Sequence, residues 1–536
     1  MGVPHTKTSR RAFVVAAAAV PWLPGWSGGA RAEPARAGRA PGLGGPIFDV
    51  TRFGAVGDGR RSCTSAIQRA LDACARAGGG VVQVPPGRYL TGALFLCSDL
   101  HLRLLPGSVL VASDRFEDFP PIDGRSEGIE RKTYASLLTG ERVENVAITG
   151  GGTLDGQGPR WWQAHDVTNK QRLERNLKRD AENPPGAPLR WPRPRLINFL
   201  RSTSVTITGI SLTSSPFYNV HLVYCQDVLV EGLSISALQA LNIDGIIVDS
   251  CKQVRVTSCS IASGSDAIAV KSGYNQDGRR VGIPCEEVVI TNCNLACSGG
   301  AGISVGSETA GGIRNISISN CTVVGSRYGI QVRSPRGRGG VVERIRVFNM
   351  VFDRLTAVGV YITHFYDSVK QDSLFAARDQ TTGNPETDRS MRAPVDEGTP
   401  TFQDLDFSGL TFGAVPILGL IEGLPERFIR GVRLGDISAP VAKAGLSIRR
   451  ATEITVNDLC AEPTEGPVIA GRDIERLRIR GLVCARPDPR AAVVLEDVKG
   501  AFLSGCDVPN RPLLETRGDK VTGVTVVGNN APSRPG

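Results

Sequence analysis

One short phrase recurs along most of the chain, and it restricts the fold more than any other feature. A strand of alternating apolar residues is followed by a small or polar turn. Copies read Ser204-Val205-Thr206-Ile207, Asp227-Val228-Leu229-Val230, Gln253-Val254-Arg255-Val256, Glu287-Val288-Val289-Ile290, Asn315-Ile316-Ser317-Ile318 and Arg344-Ile345-Arg346-Val347. Further copies begin at Asp404, Gly431, Glu453 and Arg476. From Val205 the first apolar position advances by 22 to 34 residues per copy, with one step of 60. Period-2 alternation reads as strand, and a period of this length reads as a solenoid whose coils bury their apolar faces only by stacking. A leucine-rich repeat is the structural rival, but its Leu-x-x-Leu-x-Leu spacing is absent. The expectation is an all-β chain: a single right-handed parallel β-helix. Its 63 glycines among 536 residues, without a Gly-X-Y period, suit many tight turns and exclude collagen.

The amino end differs. Positions 64–74 place Ala66, Ile67, Ala70, Leu71 and Cys74 on one helical face, a short helix suited to capping the open end of the solenoid. Two polar insertions, near 367–399 and 273–284, account for the long steps and read as loops. Before this lies a targeting segment. Arg10-Arg11 precede the apolar run 12–20, and Ala30-Arg31-Ala32 is an A-x-A cleavage site. The paired arginines resemble a twin-arginine export address, the other reading being the basic region of an ordinary secretory signal. The organisation is therefore read as 1–32 export signal, 33–46 linker and 47–530 β-helix, in a protein exported to the periplasm or the extracellular space. The apolar run is shorter than the ~20 residues that span a bilayer, so no membrane anchor is expected.

The formal charge is +9, and four cations in the first 32 residues leave +5 for the remainder. Charges of both signs are interspersed, without the clustered basic face and aromatics of a nucleic-acid binder. An acidic polymer remains compatible as substrate. The 13 cysteines follow the repeat rather than a zinc-ligand spacing. Most read as small buried hydrophobes, with room for one or two disulfides. No cofactor or metal is expected, and the chain is read as a monomer.

A second strand repeats within the central coils: Asp244-Gly245-Ile246-Ile247-Val248-Asp249, Asp266-Ala267-Ile268-Ala269-Val270-Lys271, Ala301-Gly302-Ile303-Ser304-Val305-Gly306 and Tyr328-Gly329-Ile330-Gln331-Val332-Arg333. If Ile246, Val248 and their equivalents point inward, the alternate positions point outward. They stack as Ile247, Ala269, Ser304, Gln331 and as Asp249, Lys271, Gly306, Arg333, with His221 one coil before Ile247. Coils lie ~4.8 Å apart, so Asp244 and Asp266 become neighbours. Two adjacent carboxylates can divide into an acid and a base, the pairing that glycosidic hydrolysis uses. Asp-Gly and Ser-Asp are equally common turn pairs, which would make both residues structural. Asp249 and Lys271 read as a structural ion pair, and Glu308 as a solvated turn residue or an alternative acid. Arg333 is suited to bind a carboxylate, or to pair with Asp249 or Glu308.

These and other ordered segments carry a resemblance. Gly152-Thr153-Leu154-Asp155-Gly156-Gln157-Gly158 precedes Trp161-Trp162. Ser215-Pro216-Phe217-Tyr218-Asn219-Val220-His221, Asn242-Ile243-Asp244-Gly245 and Gly264-Ser265-Asp266-Ala267-Ile268-Ala269-Val270-Lys271-Ser272-Gly273 follow, then Gly302-Ile303-Ser304-Val305-Gly306-Ser307-Glu308 and Gly337-Arg338-Gly339-Gly340. From about 48 to at least 366 the chain resembles glycoside hydrolase family 28, the polygalacturonases and their relatives. The resemblance implies that the family's Asn-Thr-Asp motif falls on Asn242-Ile243-Asp244 and its Asp-Asp pair on Ser265-Asp266. In the family the first aspartate of that pair is the general acid, and the other two aspartates activate water. Here serine stands at the acid's position, and a hydroxyl cannot replace a carboxylic acid at neutral pH. The His-Gly motif falls on Ala301-Gly302, the Arg-x-Lys motif on Gln331-Val332-Arg333, and a downstream tyrosine on Tyr366. Asp244 and Asp266 are thus the expected catalytic pair. Asn242, Ser265, Gln331, Arg333, Tyr366, His221 and Lys271 are the expected substrate contacts.

Three functions follow. The first is an exported hydrolase that cleaves pectin or a related uronate-containing plant polysaccharide, with inversion. The second is a catalytically impaired β-helix that binds such glycans, favoured by Ser265. The third is a calcium-dependent polysaccharide lyase, for which only Asp249, Lys271 and Arg333 come near the required cluster.

Overall fold

The computed structural model describes residues 45–178, 181–238, 242–365 and 391–532. The segment 1–32, Tyr366 and most of the 367–399 insertion lie outside the described residues. Within them, one sheet of parallel strands winds from Ile47–Asp49 to Thr522–Val527 as a right-handed β-helix. The first apolar residue of each repeated phrase forms one ladder. Val205 pairs with Val228, then Val254, Val288, Ile316, Ile345, Leu405 and Val432 follow coil by coil. All are buried, and the core they head runs through the length of the solenoid.

The residue that opens each phrase has a shared backbone conformation. Ser204, Asp227, Gln253, Glu287, Asn315, Arg344, Asp404, Glu453 and Arg476 all have φ between 52° and 60°, and Gly431 has 67°. The chain therefore has a left-handed residue at this same place on each of these coils, and the register skips that position. This conformation costs roughly 1–2 kcal/mol per non-glycine residue, and it is accepted because the flanking strands are fixed on both sides by the ladder.

The expected capping helix spans Thr64–Arg76 and buries Ala66, Ile67, Ala70, Leu71 and Cys74. It also satisfies the strand edge it covers. The Gln68 side chain receives the Phe95 N–H and donates to the Phe95 carbonyl, at 2.9 and 3.1 Å. All thirteen cysteines are free thiols, and twelve of them are at least partly buried, without a disulfide.

Three insertions stand on the face of the solenoid that carries the second stack. The 273–284 insertion holds a helix, Asn275–Val281, rather than a simple loop. An antiparallel hairpin (Pro121–Ser126 with Ile129–Tyr134) and a helix (Pro159–Glu174) have no counterpart in the sequence reading. The hairpin is anchored by Arg125, whose buried guanidinium lies 3.2 Å from Asp249, donates to Ser250 Oγ at 2.9 Å and stacks over Tyr224. This corrects the expected Asp249–Lys271 ion pair. Their backbones are indeed in register, but Asp249 turns to the hairpin while the longer Lys271 reaches elsewhere.

Two outcomes are expected from these features. Glu287→Val, which places a β-branched residue at a left-handed position, should be less stable than Glu287→Gly by about 1–2 kcal/mol in urea unfolding. Arg125→Met strands the Asp249 carboxylate and should cost about 3–5 kcal/mol. Adding Asp249→Asn should recover most of that loss in the same measurement.

Candidate active site

The second stack builds the site floor. Ile246, Ile268, Ile303, Ile330 and Val360 point into the core on successive coils, and Ile247, Ala269, Ser304, Gln331 and Tyr361 form the outward column. Phe217 and Tyr218 pave Ile247 and Ala269, stacked on each other with ring centroids 3.6 Å apart. Two residues before each inward isoleucine, the chain turns, and there the acids stand. The Gly245 N–H donates to the Asp266 carbonyl, and the Asn219 N–H to the Asp244 carbonyl. Asp244 and Asp266 thus occupy the same turn position of adjacent coils.

Both carboxylates are buried and both are held. Asp266 accepts from the Ala301 N–H at 2.8 Å through Oδ1 and from Arg333 Nη2 at 2.9 Å through Oδ2. Gly300 makes room for this: a Cβ there would lie 2.5 Å from Asp266 Oδ1. Asp244 accepts from Lys271 Nζ at 3.3 Å, and the nearby Ser265 side chain favours its charged form. Burial pushes the Asp244 pKa up, Lys271 opposes this, and the charge of Asp266 adds to it, leaving Asp244 above the usual carboxylate range. Ser265, at the position of the missing acid, lines the cleft beside Asp244.

Lys271 stands between Asp244 and Glu308, at 3.3 and 3.7 Å, with its ammonium facing the Tyr218 ring. Burial pulls its pKa down, but Glu308, Tyr218, Asp244 and Asp266 outweigh burial and hold it well above the ordinary lysine value. Glu308 is 4% exposed, not solvated. The hairpin turn sits against it, so close that a Cβ on Gly128 (φ +78°) would lie 2.9 Å from Glu308 Cγ. Arg333 pairs with Asp266, an acid that the sequence reading did not name as its partner. His221 does not reach the cleft surface. It lies beneath Tyr218, edge-on at 5.3 Å, 3.8 Å from Asp249. Burial lowers its pKa to about 4 against the pull of Asp249, so it is neutral at pH 7.

Asn242, Ser265, Asp266 and Arg333 line one continuous cleft with Asp244, Lys271 and Glu308. Toward later coils the cleft widens to about 420 Å³ between Arg327, Tyr328, Gln331, Tyr361 and Thr363. Toward earlier coils, past Glu127 and Phe217, it opens into a second space of about 370 Å³ beside Trp191, Arg193 and His165. Asn242 borders all three spaces. Sequence reasoning missed Glu127, Tyr218, Arg193 and Tyr361. Of these, Tyr218 lay inside the quoted segment 215–221, and Tyr361 had a signal as the outward residue of the next strand after Gln331.

Comparison with known proteins agrees with this arrangement. Residues 124–377 match the family Glycosyl hydrolases family 28, and residues 47–94 match the family Rhamnogalacturonase A/epimerase, pectate lyase-like. A probable polygalacturonase of Vitis vinifera is 35% identical over 400 residues, 73% of each chain. An exo-poly-alpha-D-galacturonosidase of Dickeya chrysanthemi is 26% identical over 60% of this chain and 57% of its own. The solved structure of an exopolygalacturonase from Thermotoga maritima shares the fold, with a TM-score of 0.64 and 24% identity over 83% of this chain and 94% of its own. Two aspartates on one turn column of a parallel β-helix, within a sequence of this similarity, place the chain in glycosyl hydrolase family 28.

Proposed function

We propose that the protein is an exported glycoside hydrolase that cleaves pectin or a related uronate-containing polysaccharide with inversion. The observation that carries this reading is the convergence of Asp244 and Asp266 in one cleft, each in a different electrostatic setting. An inverting hydrolase needs a carboxylic acid to protonate the leaving oxygen and a carboxylate to activate water. Asp244, raised by burial and by its neighbour, is the proton donor. Asp266, fixed by the Ala301 N–H and Arg333, is the base. This assignment moves the acid from the position where Ser265 now stands to the aspartate of the preceding coil. Arg333 and Gln331 line the wide part of the cleft, where a uronate ring would lie. No helix of the described residues is long and apolar enough to cross a membrane, and the Arg10-Arg11 segment is the basis for export.

Ser265 also carries a second reading, a solenoid that binds pectic glycans without turnover. Product analysis on a panel of pectic polymers decides between the two. For the hydrolase, reducing ends appear without unsaturated products, and Asp266→Asn lowers turnover by about 10²–10⁴-fold with the fold intact. The donor must be protonated, so the rate falls as pH rises through the Asp244 pKa, and Asp244→Asn should abolish that alkaline limb. Ser265→Asp should raise the rate by restoring an acid beside Asp266. Binding without turnover by both wild type and Ser265→Asp would establish the second reading. For export, Arg10→Lys with Arg11→Lys should leave unprocessed protein in the cytoplasm, and unchanged export of that variant would point to an ordinary secretory route.

A further inference from the structure

The earlier end of the cleft contains a charge that the proposed chemistry does not use. Arg193 and Arg195 precede the strand Ile197–Leu200 and are 3% and 1% exposed. No carboxylate of the described residues lies within ion-pair distance of either guanidinium. Arg195 donates to the Arg125 and Arg193 carbonyls at 2.7 and 3.3 Å, and it braces the underside of Phe217 and Tyr218. Arg193 is different because it borders open space. Its Nη1 donates to the Pro216 carbonyl at 2.9 Å and its guanidinium lies 4.6 Å from the Phe217 centroid, while its Nη2 has no hydrogen-bond partner. A buried guanidinium without a counter-ion is costly unless something supplies the charge. Burial pulls its pKa down to about 10, against the opposing pull of Tyr218, Glu127 and Asp166, none of which forms an ion pair with it.

Position completes the argument. The strands after Arg193, Asp244, Asp266 and within which Arg333 lies are Ile197–Leu200, Ile246–Asp249, Ile268–Lys271 and Tyr328–Arg333. Arg193 is thus two coils before Asp244, and Arg333 is two coils after Asp266. Arg193 borders the earlier widening of the cleft, and Arg333, whose guanidinium reaches back to Asp266 at 2.9 Å, borders the later one. Trp191 and Phe217 add aromatic walls beside Arg193, the combination that suits a sugar ring bearing an acid group. The Arg-x-Lys position, where Gln331 replaces a cation, has lost one charge on the later side.

We propose that Arg193 is a carboxylate-recognition residue, holding a uronate of the polysaccharide on the opposite side of Asp244 and Asp266 from Arg333. The proposal rests on the reading of the substrate as a uronate polymer. Its test is calorimetric binding of trigalacturonate and of its methyl ester to full-length Asp244→Asn, which does not turn them over under the mechanism above. The parent should prefer the free acid. Adding Arg193→Gln should weaken acid binding by about 10- to 100-fold, the range for a charge-assisted hydrogen bond, and leave ester binding nearly unchanged. Arg193→Lys should recover part of the loss. A parent that prefers the acid together with an unchanged preference in Arg193→Gln overturns the inference and leaves the uronate reading standing. Equal loss for acid and ester, without recovery by lysine, reduces Arg193 to a brace for Pro216 and also overturns it. A parent that binds neither compound overturns both readings. If Arg193→Gln does not fold, a crystal of the parent with trigalacturonate decides: a carboxylate on Arg193 Nη2 supports the inference, and carboxylates on Arg333 alone refute it.

Discussion

A parallel backbone ladder held in register over the whole length of the solenoid underlies the other features of the molecule. Each coil has an apolar face that it cannot bury alone, and the ladder places the equivalent residue of the next coil against it. Slipping one strand by a single residue would turn its core side chains to solvent. The cost is large, because Val228, Val254, Val288 and their equivalents are fully buried. That penalty lets each coil contain a residue in a left-handed conformation that its type does not favour. It also lets polar residues at a turn be carried into a buried setting, since the strands on either side decide where the turn goes.

The site is an exercise in balancing buried charge. Asp244, Asp266 and Glu308 would repel one another if left alone, and Lys271 and Arg333 are interleaved with them. Asp249 is drawn away from this group by Arg125 and receives His221 as well. Burial pushes the Asp249 pKa up, but Arg125 and His221 outweigh it and hold the group below the usual value. Two carboxylates of one coil, Asp244 in the turn before the strand Ile246–Asp249 and Asp249 at its end, thus end with opposite shifts. The difference comes from their partners, a lysine shared between two acids in one case and a dedicated arginine in the other.

Much of this was legible in the sequence, and the part that was not has physical causes. The repeat was visible because apolar alternation survives substitution among Val, Ile and Leu. The left-handed turn column was invisible, since serine, aspartate, glutamine, glutamate, asparagine and arginine all occupy it. Register alone brought Asp244 beside Asp266 and stacked Gln331 over Ser304. Register gives Cα positions, however, and not the reach of a long side chain, so Lys271 was paired with Asp249 instead of Asp244 and Glu308, and the Arg333–Asp266 contact was not foreseen. The hairpin escaped because Pro121–Ser126 and Ile129–Tyr134 lack a repeated apolar pattern, and its anchor, Arg125, meets Asp249 from over a hundred residues away. Arg193 gave no signal for the same reason: its isolation is a property of the packed structure.

Placing both acids on one turn column has a consequence for how such an enzyme can change. Their backbones are spaced by the hydrogen-bonded ladder, as rungs are, so no point substitution can slide one acid a fraction of an ångström toward the other. Variation is confined to a choice of letter on each rung. A change of side chain at 265 leaves the neighbouring rungs where they were, so its effect is confined to the groups already within reach. The loops and the hairpin have no such lattice, so changes in their length reshape the cleft entrance while the two aspartates stay fixed to the same two coils.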